Sequence, residues 1–247
     1  MKKLIIKDYE LEIKLPSFIN IIGLPASGKT YLLRMLINQI ENYNIYLDDQ
    51  PVMELDGEFK KRNIAACLDL NFNTLYVKEE VVFYLEKCGF SSDECFDKLD
   101  CFSRYFDMDH IINEKTKDLS TRDKAFIKIL SLLIMNPLIL GIDKLLTYLN
   151  EEQKLKIIRY AKEHKITILN VTSDKEELLL GTEIVILEKA LVKKHDKTKV
   201  ILADEKLLAS VGFELPFIIN LSNGLNLYEL TNKNHYDFKS LVGEVWK

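Results

Sequence analysis

The sequence predicts an α/β layered fold with a mainly parallel sheet, and three observations carry the prediction. Short apolar runs alternate with amphipathic helical stretches as far as residue 202. A glycine loop, Gly23–Thr30, stands between an apolar run and a helical one. A long helical interval, about residues 77–135, separates two apolar runs that read as sheet strands. The 247 residues suit one domain of ordinary size with a small appendage. The boundaries read as a domain over residues 1–203 and a tail over 204–247.

Taken in order, Leu4–Ile6, Leu11–Ile13 and Phe18–Ile22 read as strands, the last running into the glycine loop. After Gly28 a broad apolar face (Leu32, Leu33, Met35, Leu36, Ile40) predicts a helix. Asn44–Leu47 is another short strand. Glu80–Lys87, Ser91–Met108 and Thr121–Met135 carry helical spacing, with Ser92 and Asp93 near a helix start. Leu138–Asp143 is a short apolar run ending in an acid, as expected of a buried parallel strand. Glu151–His164 is a helix, Ile166–Val171 a buried strand and Asp174–Leu180 a short helix. Glu183–Leu187, Ala190–Lys193 and Lys199–Leu202 read as a terminal run of short strands, before a tail of mixed helix and irregular structure.

Composition excludes several classes. With 47% hydrophobic and 29% charged residues the chain is a soluble globular type. A net charge of -4, with basic clusters such as Lys60-Lys61-Arg62 interleaved with acids, gives no basic stripe for nucleic acid. Cys67, Cys88, Cys95 and Cys101 form no C-x-x-C pair, so reduced thiols in a cytosolic protein are expected. Lys7, Asp8 and Glu10 interrupt the apolar N-terminus too soon for a signal segment. The most apolar stretch, Ile129–Ile142, falls short of the about 20 apolar residues a membrane helix needs.

Gly23-Leu24-Pro25-Ala26-Ser27-Gly28-Lys29-Thr30 matches the P-loop pattern G-x-x-x-x-G-K-[ST], in the strand–loop–helix context that the pattern requires. Backbone amides of such a loop close around phosphate oxygens, helped by the positive end of the following helix. Gly23, Pro25, Ala26, Ser27, Gly28, Lys29, Thr30 and Tyr31 are therefore candidate nucleotide-binding residues. Lys29 would reach the β- and γ-phosphates, and the Thr30 hydroxyl would ligate Mg²⁺. Asp143, at the end of an apolar strand, is the candidate second metal-holding group, so ATP and Mg²⁺ are the expected cofactors.

The block Asp118-Leu-Ser-Thr-Arg-Asp123, a helix, and then Met135-Asn-Pro-Leu-Ile-Leu140 resembles the ABC ATPase family, where an L-S-G-G-Q signature opens the helix before the metal-binding strand. Asp143-Lys-Leu-Leu-Thr-Tyr-Leu-Asn150 resembles that family's D-E-P-T-S-A-L-D segment, and Ile168-Leu-Asn-Val-Thr-Ser-Asp174 its switch-histidine strand. The tail Leu202–Pro216 is similar to the C-terminal segment of energy-coupling factor ATPases. The resemblance runs from about residue 18 to 202 and implies a P-loop NTPase of ABC type: a mainly parallel core, antiparallel N-terminal strands, a helical signature subdomain and a C-terminal tail that is a possible dimerisation segment. It also implies an ATP-binding subunit paired with a second ABC ATPase and held on the inner face of the cell membrane by an integral membrane transporter subunit.

The departures from that family fall on the residues that do chemistry. Lys144 stands where the water-polarising acid belongs, and an ammonium has no acceptor. Ser173 replaces the switch histidine, and Thr121 and Arg122 replace the signature glycines, leaving Ser120 as a γ-phosphate donor in trans. Asn150 replaces the dimer-loop aspartate, and the Q-loop glutamine falls at Asp69 when a short gap is allowed. Tyr9 is a candidate for adenine stacking, with a surface strand tyrosine as the alternative. No catalytic residue is expected. General-base and orienting groups contribute roughly 10²–10⁴-fold each, so hydrolysis should be weak or lost and a heterodimer with an intact subunit is expected. A P-loop small-molecule kinase is the alternative reading; so is a structural pseudo-ATPase that keeps ATP as a fixed ligand.

Overall fold

Residues 18–22 are apolar at every position but Asn20, and 167–171 are apolar except for Thr167 and Asn170, which suits strands covered on both faces. A computed structural model describes residues 2–41 and 44–246 and places these strands at the centre of the main sheet. They are β3 (Phe18–Ile22) and β8 (Thr167–Val171), buried at every position. The sheet runs β10-β9-β3-β8-β7-β6, where β6 is Ile64–Cys67, β7 Ile139–Asp143, β9 Glu183–Glu188 and β10 Leu191–Lys197. All neighbours are parallel except β10, which pairs antiparallel with β9.

A second sheet, wholly antiparallel, has the order β2-β1-β4-β5, formed by β1 (Lys3–Ile6), β2 (Leu11–Lys14), β4 (Ile45–Leu47) and β5 (Gln50–Pro51). In β2 Leu11 and Ile13 are buried while Glu12 and Lys14 face solvent, so one face is dry. That face meets α1 (Lys29–Leu36), whose Leu32, Leu33, Met35 and Leu36 fill the space between the two sheets. At Gly141 of β7 an added Cβ would lie 2.8 Å from Leu33 Cδ2, so glycine there lets α1 sit directly on the strand.

Between β6 and β7 the chain forms α3 (Val77–Lys87), α4 (Ser92–Phe106) and α5 (Thr121–Leu133) after the short α2 (Gly57–Asn63). Ser91 and Glu94 make a reciprocal capping box that starts α4. Phe102, Phe106 and Phe126 join Ile142 and Ile168 in a core shared by helices and sheet. Within it Lys128 Nζ meets the fully buried Glu80 Oε1 at 3.1 Å. The helix α6 (Glu151–Glu163) then returns the chain to β8.

Residues 204–246 continue as α8 (Glu205–Ser210), α9 (Phe217–Leu227) and α10 (Phe238–Val245). Leu208, Phe213, Ile218 and Leu241 cover Ile22, Ile184 and Ile186 on the outer face of the main sheet. Leu227, Tyr228 and Trp246 remain exposed, Trp246 at 84%. Among the described residues no helix is long and apolar enough to cross a membrane.

Several expectations need correction. Lys199–Leu202 is not a strand but the end of helix α7 (Thr198–Leu202). Ile201 and Leu202 are adjacent and both enter the same apolar cluster, which a strand with alternating faces does not allow. Thr198 Oγ1 also donates to the Gly181 carbonyl at 2.7 Å, turning the chain off β10. The helix expected over Asp174–Leu180 is only a 3₁₀ segment, Glu176–Leu179. Helix α1 stops at Leu36, before Ile40, because Asn38 adopts a left-handed φ of 57°. Strands β5 and β6 and helix α2 were not foreseen. Asn44 lies just outside β4, which begins at Ile45.

Candidate nucleotide-binding site

The glycine loop leaves the C-terminal end of β3 and enters α1, and its backbone explains its glycines. Gly23 has φ +151° and an added Cβ would lie 2.2 Å from the Leu187 carbonyl oxygen. Gly28 has φ +96°, where a Cβ would meet Tyr9 Oη at 3.0 Å and Ala190 Cβ at 3.1 Å. The turn between β9 and β10 thus buttresses the loop, and Ala190 N–H donates to the Ser27 carbonyl at 3.0 Å. Pro25, Ala26, Ser27, Gly28, Lys29, Thr30, Tyr31 and Lys144 line a cavity of about 360 Å³.

Lys29 Nζ donates to the Gly23 and Leu24 carbonyls at 2.8 Å each and to Ser27 Oγ at 3.0 Å. Burial lowers its pKa from the usual lysine value and the nearby Lys144 ammonium lowers it further, with Asp143 opposing. The Thr30 hydroxyl donates to Asp143 Oδ2 at 2.6 Å. Asp143 Oδ1 is buried with no hydrogen-bond partner among the described residues. An orphaned carboxylate oxygen on the aspartate that accepts from the loop's Thr30 hydroxyl fits a divalent cation. Among the described residues no cluster of three or more His, Cys, Asp or Glu could hold a metal alone. Thr30 and Asp143 therefore suit Mg²⁺ that draws its other ligands from phosphate and water.

Lys144, directly after Asp143, is exposed, and its amide donates to the Val171 carbonyl at 2.8 Å. It also lines a second cleft of about 240 Å³ with Asp69, Asp143 and Tyr148, so Asp69 does come to the end of the sheet near Asp143. Asp69 Oδ1 accepts from Asn71 N–H at 2.9 Å. Ser173 is exposed in the loop after β8. Ser120, Thr121 and Arg122 lie at the start of α5 and do not line either of these spaces. The Ser120 hydroxyl caps α5, accepting from Asp123 N–H at 3.2 Å and donating to Asp123 Oδ2 at 2.6 Å. Asn150 caps α6 through a reciprocal box with Gln153.

Both readings of Tyr9 are corrected. It lies in a 3₁₀ turn, Lys7–Tyr9, at 1% exposure, and its hydroxyl donates to the Gly28 carbonyl at 2.9 Å. Burial, then Tyr31 and Asp8, push that hydroxyl up to about 12. It supports the loop from beneath and offers no face to a base. The sequence signal that could have flagged it is its place between two strands whose alternation points inward at Leu11 and Ile13.

A mainly parallel core, a four-stranded antiparallel sheet of N-terminal strands, helices between β6 and β7, and a P-loop joined to Asp143 make a specific architecture. A solved structure of cbiO1 from Clostridium perfringens, part of the ABC transporter complex cbiONQ, superposes with a TM-score of 0.69 over 89% of this chain and 90% of its own, at 20% identity. The fold is that of an ABC ATPase cassette. The chain's sequence is similar to energy-coupling factor transporter ATP-binding proteins: EcfA of Malacoplasma penetrans, 24% identical over 239 residues (93% of this chain, 82% of the relative), and EcfA1 of Mycoplasmopsis synoviae, 24% over 251 residues (98% and 93%). No protein-family model matches the cassette.

Proposed function

We propose that the chain is the ATP-binding subunit of an energy-coupling-factor-like membrane transporter, holding MgATP in the cradle around Lys29 with its own hydrolysis weak or lost. The observation that carries this is the Thr30–Asp143 hydrogen bond, with an orphaned Asp143 oxygen, beside a lysine at position 144. The groups that hold phosphate and metal are assembled, while those that polarise water are replaced.

The loop amides and the start of α1 would receive phosphate oxygens. Lys29, resting on the Gly23 and Leu24 carbonyls, would exchange them for the phosphates. Thr30 and Asp143 would hold Mg²⁺, which when bound neutralises charge on the β- and γ-phosphates. Neither Lys144 nor Ser173 supplies a carboxylate or an imidazole to orient an attacking water. Ser120 acts in trans on a partner's nucleotide, and the partner is a second, intact ABC ATPase. An integral membrane subunit supplies the attachment to the membrane. The exposed Leu227, Tyr228 and Trp246 support reading the tail as a dimerisation segment.

The test measures ATP binding and hydrolysis side by side on the purified chain with Mg²⁺, against Lys29→Ala. Lys29-dependent binding without turnover is the expected result. Lys29-dependent turnover by the chain alone would overturn the assignment of Lys144 and Ser173 as inactive replacements.

A further inference from the structure

Lys144 begins from a fixed point. Its φ is +61°, in the left-handed region, and its amide is tied to the Val171 carbonyl at 2.8 Å. From there the side chain lines both the cavity of the glycine loop and the adjoining cleft with Asp69 and Tyr148. It is exposed and forms no ion pair among the described residues. The first cavity is therefore walled by two ammonium groups, Lys29 on the loop and Lys144 on the end of β7, while Asp143 turns one oxygen to Thr30. A space bounded this way favours a multiply charged anion.

The two lysines differ in reach. Lys29 would reach the β- and γ-phosphates from the loop side, and Thr30 and Asp143 would hold the metal. Lys144 lies one residue past Asp143 and lines both the loop's cavity and the second cleft, so a phosphoryl group reaching from the loop toward that cleft would meet it. We propose that Lys144 is the terminal-phosphate counter-ion of this site, and that through it the chain selects nucleoside triphosphates over diphosphates. This rests on the reading of the loop as a phosphate cradle. Lys144 also stands where the ABC ATPase resemblance puts the water-polarising acid, and an ammonium can donate to a phosphate oxygen but cannot accept a proton from water while charged. Retention of the triphosphate and poor turnover thus follow from one side chain.

The experiment is calorimetric titration of the full chain with ATP, a non-hydrolysable ATP analogue and ADP, in Mg²⁺, for the native protein and for Lys144→Met, Lys144→Arg and Lys29→Ala. Methionine is unbranched and the position is exposed, so the variant keeps the same backbone demand. Lys144→Met is expected to weaken ATP and its analogue about tenfold with little change for ADP, and Lys144→Arg is expected to keep the triphosphate preference. Equal weakening of ATP and ADP by Lys144→Met, or no change in either, would overturn the proposal. Unchanged affinities in Lys29→Ala would instead remove the phosphate-cradle reading beneath it, so the two failures are told apart.

Discussion

The Thr30 hydroxyl donates to Asp143 Oδ2 at 2.6 Å and leaves Asp143 Oδ1 buried without a hydrogen-bond partner among the described residues. A buried carboxylate oxygen with nothing to accept carries a desolvation penalty of about 1–3 kcal/mol. A divalent cation held by this carboxylate would relieve it. Mg²⁺ is therefore expected to tighten ATP binding in the native chain. In Asp143→Asn, which keeps the shape and removes the charge, that Mg²⁺-dependent increment should disappear. Titrations with Mg²⁺ and with a chelator check both statements, and an undiminished Mg²⁺ effect in Asp143→Asn would place the metal elsewhere.

Tyr9 and Gly28 give a prediction about the loop's foundation. Tyr9→Phe removes only the bond to the Gly28 carbonyl, at 2.9 Å in the native structure, and should lower stability by about 1 kcal/mol. Gly28→Ala adds a Cβ to a residue at φ +96° with Tyr9 Oη at 3.0 Å and Ala190 Cβ at 3.1 Å. Backbone strain of about 1–3 kcal/mol is expected there, together with a larger loss of ATP affinity than Tyr9→Phe. Urea unfolding and nucleotide titration on both variants measure the two effects separately.

What the sequence made legible follows how strongly each segment is constrained. Gly23, Gly28, Lys29, Thr30 and Asp143 were readable because a phosphate cradle demands particular residue types at particular spacing. Strands β3, β7 and β8 were readable because burial on both faces forces mostly apolar runs, broken only by polar groups such as the hydrogen-bonded Asn20–Asn170 pair. Strand β6 was not: Ile64-Ala-Ala-Cys67 is short, alanine-rich and directly preceded by the charged end of α2. Lys199–Leu202 was misread because four residues cannot distinguish alternation from a helical turn. Tyr9 and Ala190 became visible as supports of the loop only after the fold brought segments about residues 9, 28 and 190 together.

Alkaline pH should destabilise the chain in a defined window. Burial pushes the Cys67 thiol up to about 12 from an ordinary 9.0, and the Tyr9 and Tyr160 hydroxyls up to about 12 from 10.0. Below the unfolded values these groups are protonated in both states and the stabilising effect is fully present. As pH rises past 9.0 the unfolded chain releases protons that the folded chain keeps, so stability falls until the folded groups titrate near 12. Urea midpoints measured from about pH 8 upward should decline through this window. Cys67→Val should shrink the earliest part of the decline, which begins before the tyrosines titrate and to which the Cys88 and Cys95 thiols, also raised by burial, contribute the remainder.

Glu80 and Lys128 form a buried pair at 3.1 Å, and Glu80 also accepts from Asn73 N–H at 2.7 Å and Thr74 N–H at 3.1 Å. The pair thus pins the segment that follows Asp69 to the core of the helices. Lys128→Met would leave the Glu80 charge buried and partly unpaired, which destabilises by about 3–5 kcal/mol. The double variant Glu80→Gln, Lys128→Met should recover part of that loss, because no uncompensated charge remains. Chemical unfolding of the native chain, both single variants and the double variant gives the coupling directly. Additive losses would mean that the two groups do not act as a pair.

The proposed pairing with a second ATPase gives the last prediction. The Ser120 hydroxyl already engages Asp123, and Thr121 and Arg122 put exposed side chains where a partner's nucleotide would approach backbone. Two copies of this chain would place such a surface against two P-loops that both lack the acid and the imidazole. Light scattering of the isolated chain with MgATP should therefore show no catalytically active homodimer. Co-expression with an intact ABC ATPase should give a complex that MgATP stabilises. Lys29→Ala should weaken that complex by removing ATP from this chain's cradle. If Ser120 is the γ-phosphate donor in trans, Ser120→Ala should slow hydrolysis at the partner's P-loop. A homodimer of this chain that turns over ATP would overturn the heterodimer, because it would show that Lys144, Ser173 and the Thr121–Arg122 pair suffice for catalysis.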